Sequence, residues 1–349
     1  MTELTTARPE VLSKFCAQVL EKMGLSAEDA AIAADVMVTA DLRGVETHGV
    51  MRMSYYTVKL KMGLVDPKAV MEVVRESPGT ALIDGHNALG QVTAHRAMEL
   101  CIKKARETGV AWVSVRHGNH FGTCAQYSMM ALPNDMIGFA VTNASPKLAP
   151  TGSIDPILGN NPWSFAIPAG EELPVVLDLA NSLVAAGKIR MAQKQGKLIP
   201  EGWALTRDGE PTTDPTLALK GILLAIGGYK GYGITVVMDL ISGVLANSSY
   251  GPRVHSVDDN SGVAGVGHSF MALSVSCFDE VDVFKSRMDG YIREIKGTRK
   301  AKGVDEIYLP GEIEYRKMQQ RLKDGVPLPP KVVEELRGYS TEFGVPLDL

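Results

Sequence analysis

Cysteine and long apolar runs are both scarce in this chain. It has only four cysteines in 349 residues, and no two of them form a CxxC pair. That spacing argues against a zinc ribbon or a disulfide framework and favours a reducing compartment. No stretch approaches the roughly 20 apolar residues of a membrane-spanning helix. The N-terminal sequence MTELTTARPEVLSKF lacks the apolar segment of a signal peptide. We therefore expect a soluble, cytoplasmic protein.

No charge of one sign dominates the chain. The 36 Lys and Arg residues nearly balance the 40 Asp and Glu residues, and no basic run is longer than KSR or TRKAK. A nucleic-acid surface needs concentrated positive charge, so we expect a small-molecule partner, with no nucleic acid and no membrane. A chain of 349 residues exceeds one ordinary core. It predicts two lobes, or one large α/β domain with a helical part, and has room for a buried site.

The spacing of apolar residues changes twice along the chain. Residues 8–24 and 27–43 have helical spacing, and Ser26 before AEDAA is typical of a helix N-cap. From residue 70 onward, short strands and helices alternate in a β-α-β order, and the C-terminal part returns to helical spacing. We predict an α/β protein with an N-terminal helical segment (1–68), an α/β core around a central mixed sheet (69–280), and a C-terminal helical segment (281–349).

The glycine fingerprint for dinucleotides is absent. No G-x-G-x-x-G follows any predicted strand, and GVAGVGHSF near residue 262 follows a polar loop with its glycines in another arrangement. Since that fingerprint forms the phosphate-binding turn of the Rossmann fold, a standard Rossmann site is not expected.

The stretch ADLRGVETHGVMRMSYY places His48 between Arg43 and Arg52, with Gly44 and Gly49 interrupting a helical pattern. One interpretation is an ordinary helix end with solvated arginines and a hydrogen-bonded histidine. The other is a site that binds an anion and donates a proton, because an arginine can grip a carboxylate while imidazole titrates near neutral pH. The residues of this stretch alone leave both interpretations open.

A second histidine segment, VRHGNHFGTCAQYSMMAL, follows a predicted strand and enters a predicted helix. Loops in that position often face a ligand. His117 and His120 have an HxxH spacing that is compatible with a metal site. No carboxylate or cysteine lies nearby in the sequence to complete one, so no metal is expected.

Three further segments expose backbone N–H groups or a carboxylate beside a strand or helix. They are GNNPWSFAIP, LDLANSLVAAGK and GGYKGYG. Such segments can hold the phosphates or ribose of a nucleotide, but they also occur as plain turns, caps and connections.

Taken together and in order, these strings resemble the malate/L-lactate dehydrogenase type 2 family of NAD(P)-dependent oxidoreductases. The strings are ADLRGVETHGVMR, GNHFG, TNASPKLAP, GNNP, LDLANS, IPEGWALTRDGEPTTDP, GGYKGYG and YLPGE, from about residue 8 to residue 337. The family includes ureidoglycolate, sulfolactate and malate dehydrogenases, diketogulonate reductase and cyclic-imine reductases. The resemblance implies an α/β fold unrelated to the Rossmann domain, a homodimer, NAD or NADP as cofactor, and a 2-oxo or 2-hydroxy acid as substrate.

The resemblance also implies roles for particular residues. It places the catalytic histidine at His48 or at His120, and the choice between them stays open. Thr47 stands where the family usually has serine, so the hydroxyl beside the histidine is kept. In imine-reducing members, the aspartate that matches Asp178 is grouped with the serine and the histidine of the first motif, which match Thr47 and His48. Arg52 matches the arginine that would hold the substrate carboxylate. The cofactor-binding residues implied are Asn143, Ala144, Asn160, Asn161, Asp178, Leu179, Ala180, Lys230 and Gly231.

A mechanism follows from the needs of the reaction. Reducing a 2-oxo acid leaves negative charge on its oxygen, so a proton donor, His48 or His120, must lie within hydrogen-bond reach. Arg52 would fix the carboxylate. We expect Gly44 and Gly49 to let the backbone turn so that histidine and arginine face one pocket.

Departures from the family pattern cluster around the cofactor loops. GNNP replaces GTNP, PTGS replaces PxGG, and GYKGYG lacks a proline before the lysine, so the sequence leaves the choice of NAD or NADP open. Three rival interpretations remain: a cyclic-imine carboxylate reductase, a catalytically inactive cofactor-binding protein of the same fold, and a metal hydrolase that uses His117 and His120.

Overall fold

The computed structural model describes residues 5–349. The α-helices in this range are α1 (Pro9–Lys22), α2 (Ala27–Leu42), α3 (Met53–Lys61), α4 (Gly90–Thr108), α5 (Cys124–Ser128), α6 (Ala186–Lys194), α7 (Pro215–Lys220), α8 (Tyr229–Asp239), α9 (Val281–Lys296), α10 (Glu312–Asp324) and α11 (Pro330–Phe343). The strands are β1 (Thr5–Ala7), β2 (Glu72–Ser77), β3 (Thr80–Asp84), β4 (Val110–Gly118), β5 (Met136–Thr142), β6 (Trp163–Ile167), β7 (Val175–Leu179), β8 (Ala204–Leu205), β9 (Pro211–Thr212), β10 (Ile222–Leu223), β11 (Val266–Ser274) and β12 (Val326–Leu328).

Local sequence signals account for several helix ends. Pro9 begins α1, where its missing N–H leaves no intrahelical hydrogen bond unmade. The Ser26 hydroxyl accepts a hydrogen bond from Asp29 N at 3.1 Å, so the N-cap predicted from the sequence is confirmed. α4 ends at Gly109, whose φ of +80° is a conformation that glycine adopts without steric cost.

Seven strands form the central sheet in the order β2-β3-β4-β11-β5-β6-β7. β3 pairs parallel with β4, and the other neighbouring strands pair antiparallel. The predicted α/β fold with a central mixed sheet is confirmed. These strand directions place the ends of β4, β5 and β7, and the beginnings of β6 and β11, at one edge of the sheet. We call this the site edge; it comprises residues 117–120, 143–144, 160–162, 178–181 and 264–267.

Two large apolar cores join the sheet to the helices. In the first, Met98 and Cys101 of α4 and Tyr127 of α5 pack with Phe270 of the sheet, all fully buried. The second brings both ends of the chain together, because α1, α2 and α3 pack against α11 and β12. Full burial of one such apolar side chain stabilises the fold by roughly 1.5–3 kcal/mol.

Residues 184–223 form a small unit of their own within the middle of the chain. β10, β8 and β9 make a separate three-stranded sheet, and its apolar cluster includes Val184, Ile189 and Leu223. Strands of two residues leave no alternating pattern, so the sequence gives no sign of this sheet. The unit lies beside the N-terminal motif: a Cβ built at Gly187 of α6 would be 3.9 Å from Thr47 Cγ2.

α8 continues into a π-helical turn at Leu240–Val244. One face of this helix is exposed, with relative exposures between 37% and 60%. The residues of this apolar face are Ile234, Val237, Leu240, Val244 and Leu245. None of the helices within residues 5–349 has both the length and the apolar character to cross a bilayer.

Candidate active site

The turn that carries His48 begins where α2 ends. Gly44 has φ +77°, and Val45 N donates to Ala40 O at 2.8 Å, which closes the helix as a glycine C-cap does. Gly44 therefore permits the backbone turn that the sequence predicts. For Gly49 the reason is different, because its φ of −83° is open to any residue. A side chain at Gly49 would overlap the carboxylate of Asp41.

The buried side chain of Asp41 stabilises this turn. Its side chain is 3% exposed, and its Oδ2 accepts a hydrogen bond from Val50 N at 2.8 Å. Burial raises the pKa of Asp41 to about 7, with the hydrogen bond from Val50 opposing the rise and the charge of Glu46 adding to it. The carboxylate thus fixes the backbone two residues beyond His48.

Arg321 of α10 clamps the same turn from the C-terminal part of the chain. Its guanidinium donates to the backbone carbonyl of Asp41 and pairs with the carboxylate of Glu46. The Arg321 side chain is 15% exposed, so its charge is largely removed from water and its hydrogen bonds count for more than at the surface. Two sides of the His48 turn are therefore tied to the body of the protein.

His48 and His120 form a stacked pair at the site edge. Their ring centroids are 5.5 Å apart and their planes are inclined by 21°. The Nδ1 atom of His48 lies 3.0 Å from the Thr47 hydroxyl oxygen, and the Nδ1 atom of His120 lies 2.8 Å from the Tyr56 hydroxyl oxygen. Each imidazole is thus oriented by a hydroxyl group, and within residues 5–349 neither Nε2 atom has a hydrogen-bond partner.

Glycine and asparagine hold the His120 loop in place. The Asn119 amide donates to Asn87 O at 3.2 Å and to Ala88 O at 2.9 Å, which ties the loop to the start of α4. A Cβ at Gly90, the first residue of α4, would overlap the carbonyl oxygens of Asn119 and His120. The close approach of this helix to the loop therefore requires glycine.

The surroundings of both histidines disfavour the protonated form. Burial, followed by the positive charge of Arg52, lowers the pKa of His48 to about 4. Burial also lowers the pKa of His120 well below its ordinary value, and His48, Arg52 and His268 add to the effect. An anion bound beside Arg52 would offset part of this repulsion and favour a protonated imidazole.

Arg52 stands at the beginning of α3 with part of its guanidinium uncommitted. Its Nε donates to Thr47 O at 2.6 Å, which fixes the direction of the side chain. Among the residues that the structure describes, neither outer nitrogen of Arg52 has a hydrogen-bond partner. A carboxylate can take up these donors, as the sequence predicts for this residue.

Asp178 is the residue before the last one of β7. Its Oδ2 accepts a hydrogen bond from Ala125 N at 2.8 Å, at the start of α5. Burial raises the pKa of Asp178 to about 6, while this hydrogen bond and the charge of the buried Arg43 oppose the rise. In the described part of the chain no hydrogen bond links Asp178 to Thr47 or His48, and the sequence-based grouping of these three stays a prediction.

Two of the asparagines predicted to bind the cofactor have side-chain amides that make hydrogen bonds within the protein. Asn143 donates to Ser249 O at 2.7 Å and accepts from Gly267 N at 3.0 Å. Asn161, at φ +31°, accepts from Ala144 N at 3.0 Å and donates to Thr235 O at 3.0 Å. These amides tie α8 to the site edge and shape the backbone there.

The remaining cofactor candidates also lie at the site edge or at the start of α8. Asn181 N donates to Asn160 O at 2.8 Å, which joins the loop before β6 to the loop after β7. Leu179 is the last residue of β7, and Ala180 follows it. Lys230 and Gly231 lie in the first turn of α8, and the Lys230 side chain is exposed. Beyond Ala144, a cavity of about 230 Å³ lies between residues 145–147 and 252–259.

The two histidines of the HxxH spacing point to different partners. His117 Nδ1 lies 3.0 Å from Asp84 Oδ1, whereas His120 binds Tyr56. No group of three or more possible metal-binding side chains was found among residues 5–349.

Sequence reasoning missed four residues that shape the site: Asp41, Tyr55, Tyr56 and Arg321. Both tyrosines lie in the quoted first motif, four residues or fewer beyond Arg52, and helical spacing places them on its side of α3. No pattern in the sequence points to Arg321, because it lies 280 residues from Asp41, its partner in the folded chain.

Comparison with known proteins identifies the fold and its relatives. The model of the malate/L-lactate dehydrogenase family matches residues 7–337. Malate dehydrogenase of Pyrococcus horikoshii is 40% identical over 342 residues, which cover 96% of this chain and 94% of the relative. The structure of sulfolactate dehydrogenase from Methanocaldococcus jannaschii superposes with a TM-score of 0.94 at 40% identity and covers 98% of both chains.

The name of a third relative includes a cofactor. The (2R)-3-sulfolactate dehydrogenase (NADP(+)) of Chromohalobacter salexigens is 32% identical over 326 residues, with 92% of this chain and 94% of the relative covered. The family model and these relatives each extend over nearly the whole chain. This chain belongs to the malate/L-lactate dehydrogenase family.

Proposed function

We propose that the chain is an NAD(P)-dependent dehydrogenase that interconverts a 2-oxo acid and the corresponding 2-hydroxy acid. The observation that carries this proposal is that the two outer nitrogens of Arg52, beside the stacked pair of His48 and His120, have no hydrogen-bond partner among residues 5–349. An anion-binding group next to a proton-transferring group suits a 2-oxo acid, which has its carboxylate next to the reacting carbonyl. The names of the malate and sulfolactate dehydrogenases support the same substrate class.

The residues of the site divide the work of this reaction. The outer nitrogens of Arg52 bind the substrate carboxylate in a forked hydrogen bond and set the orientation of C2. His48 or His120 donates a proton to the carbonyl oxygen during reduction and removes it during oxidation. Thr47 and Tyr56 hold the two Nδ1 atoms, which leaves each Nε2 as the atom that exchanges the proton with substrate.

The site edge is the proposed place for NAD or NADP, which supplies or accepts the hydride when bound. The loops at 143–144, 160–161 and 178–180 would line it with backbone groups, and Lys230 in the first turn of α8 would bind a phosphate. This arrangement differs from the Rossmann pattern, since most neighbouring strands of the sheet are antiparallel and no glycine fingerprint is present. Because one relative is named for NADP(+), NADP is tested as well as NAD.

We also propose a cytoplasmic homodimer that uses the apolar face of α8. That face leaves five large apolar side chains 37–60% exposed in the single chain, and large exposed apolar patches mark interaction sites. All four cysteines are unpaired, which fits a reducing compartment. Analytical ultracentrifugation of the wild type and of Val237→Glu tests the dimer: the wild type should sediment as a dimer and the variant as a monomer. A monomeric wild type would contradict it.

The activity is tested by following the absorbance of NADH and, separately, NADPH with oxaloacetate, pyruvate and sulfopyruvate. We expect turnover of at least one acid. Arg52→Met should raise the KM for that acid by about ten- to a hundredfold, the range for a lost charged hydrogen bond, and leave the KM for the cofactor unchanged. Lack of turnover with every acid and both cofactors would overturn the proposal.

A further inference from the structure

Tyr55 carries a buried hydroxyl group without a hydrogen-bond partner. Its oxygen is buried from solvent and makes no hydrogen bond within residues 5–349. Buried polar groups in native proteins are nearly always paired, because an unpaired one keeps its desolvation cost without compensation. An unpaired hydroxyl beside a substrate site therefore points to a group that binds there.

The Tyr55 ring itself is held firmly. It lies edge-on to His120 with centroids 5.9 Å apart and edge-on to Tyr56 at 5.1 Å. On another side the Lys59 ammonium nitrogen is 5.6 Å from the ring centroid, and Lys59 is anchored on the carbonyl of Asp259. Packing thus fixes where the phenol lies, while its hydroxyl is left for another partner.

Tyr55 and Arg52 are on the same side of α3. They are three residues apart, which places both side chains on one face of the helix, and the charge of Arg52 acts on the Tyr55 hydroxyl. Burial raises the pKa of Tyr55 to about 12, and Asp258 adds to the rise. The hydroxyl is therefore protonated at every working pH and acts as a donor.

We propose that the Tyr55 hydroxyl donates a hydrogen bond to the substrate carboxylate held by Arg52. The inference rests on the proposed function, since it needs a carboxylate beside Arg52. A phenol donor and a guanidinium donor together satisfy both oxygens of a carboxylate. Tyr55 is then a substrate-binding residue, while Tyr56, its neighbour, orients His120.

The test compares wild type with Tyr55→Phe, which removes only the hydroxyl. Without ligand, the melting temperature of Tyr55→Phe should equal or exceed that of wild type, because the unpaired hydroxyl is gone. The KM for the 2-oxo acid should rise by about ten- to a hundredfold, as for a lost hydrogen bond to a charged group. The KM for the cofactor should stay unchanged.

Tyr339→Phe is the matched control. Its hydroxyl has a partner, since it accepts a hydrogen bond from the Thr57 hydroxyl at 3.2 Å. This variant should lose stability and keep the wild-type KM. An unchanged KM for the 2-oxo acid in Tyr55→Phe would overturn the inference while leaving the proposed function intact.

A second readout measures binding and does not depend on turnover. Oxamate, a 2-oxo-acid analogue, is added with NADH, and the shift in melting temperature is measured for both proteins. A shift in wild type that is lost in Tyr55→Phe supports the role of the hydroxyl. An equal shift in both proteins, or no shift in wild type, overturns it.

Discussion

The imidazole rings of His48 and His120 stack with their centroids 5.5 Å apart, and each is bonded through Nδ1 to a different hydroxyl group. At this separation a positive charge on one ring opposes a positive charge on the other, and the charge of Arg52 opposes both. Protonation of one ring therefore disfavours protonation of the other. Under the proposed function, one histidine exchanges a proton with substrate and the other lowers the pKa of its neighbour.

Replacing the two histidines by alanine should therefore have unequal effects. We expect the variant that lacks the true proton donor to lose about a hundred- to ten-thousandfold in kcat, the usual range for a general acid, together with its pH dependence. The other variant should keep a pH-dependent rate with an apparent pKa shifted upward, because one source of repulsion is gone. Steady-state pH profiles of His48→Ala and His120→Ala measure this. Near wild-type activity in both would show that neither is the donor.

The pH profile of the oxidation reaction should respond to Arg52. A general base must be neutral, so if His48 serves, kcat/KM for oxidation of the 2-hydroxy acid stays level on the alkaline side and falls as the pH approaches 4. Arg52 is one of the causes that lower this pKa. In Arg52→Met the pKa should move up toward the ordinary 6.5, and the fall should begin at a higher pH. Arg106→Met, which removes an exposed arginine bonded to Asn134, is the control. A downward shift in Arg52→Met would contradict the assignment.

The sequence was sufficient to bring His48, Arg52 and His120 together, because short motifs at a helix end and a strand end carried a family resemblance. The strong apolar runs of β5, β6 and β7 also predicted that these strands belong to the core sheet. The sequence could not give the supports of the site, because Asp41 and Arg321 meet only in the folded chain. The role of Gly49 could not be predicted either, because the Asp41 carboxylate that a side chain there would overlap comes close to it only in the folded chain.

The buried carboxylate of Asp41 should make stability depend on pH. Its pKa is raised from 3.8 to about 7, so its contribution to stability is complete below 3.8 and is lost as the pH rises through 7. Asp41→Asn keeps an oxygen that accepts from Val50 N and has no charge to bury. Relative to wild type, its free energy of unfolding should therefore increase from pH 5 to about pH 7, by at most about 1.4 kcal/mol per pH unit, and level off above that pH.

Denaturant unfolding at a series of pH values measures this difference. Asp41→Ala is the companion variant: it leaves Val50 N unpaired, so it should lose stability at every pH and lower kcat by loosening the His48 turn. A difference between Asp41→Asn and wild type that is flat or shrinks with pH would show that the carboxylate is not the titrating group.

Arg321 should affect turnover although it lies in α10, far along the chain from the histidines. It bonds to the carbonyl of Asp41 and to Glu46, so Arg321→Met frees the turn that carries His48. We expect kcat to fall by about tenfold or more, because small misplacements of a proton donor reduce rates strongly, while the KM for the cofactor stays the same. Arg321→Lys should recover only part of the loss, since lysine cannot make the forked contact.

The control for this variant lies on the same helix. Arg316 pairs with Glu306 at the surface, with its side chain 49% exposed, and surface pairs contribute little to stability. Arg316→Met should therefore keep wild-type kcat and nearly wild-type stability. If Arg321→Met and Arg316→Met behave alike, α10 does not position the His48 turn. If only Arg321→Met slows the reaction and its pH profile changes shape, the C-terminal helix is part of the apparatus that places the proton donor.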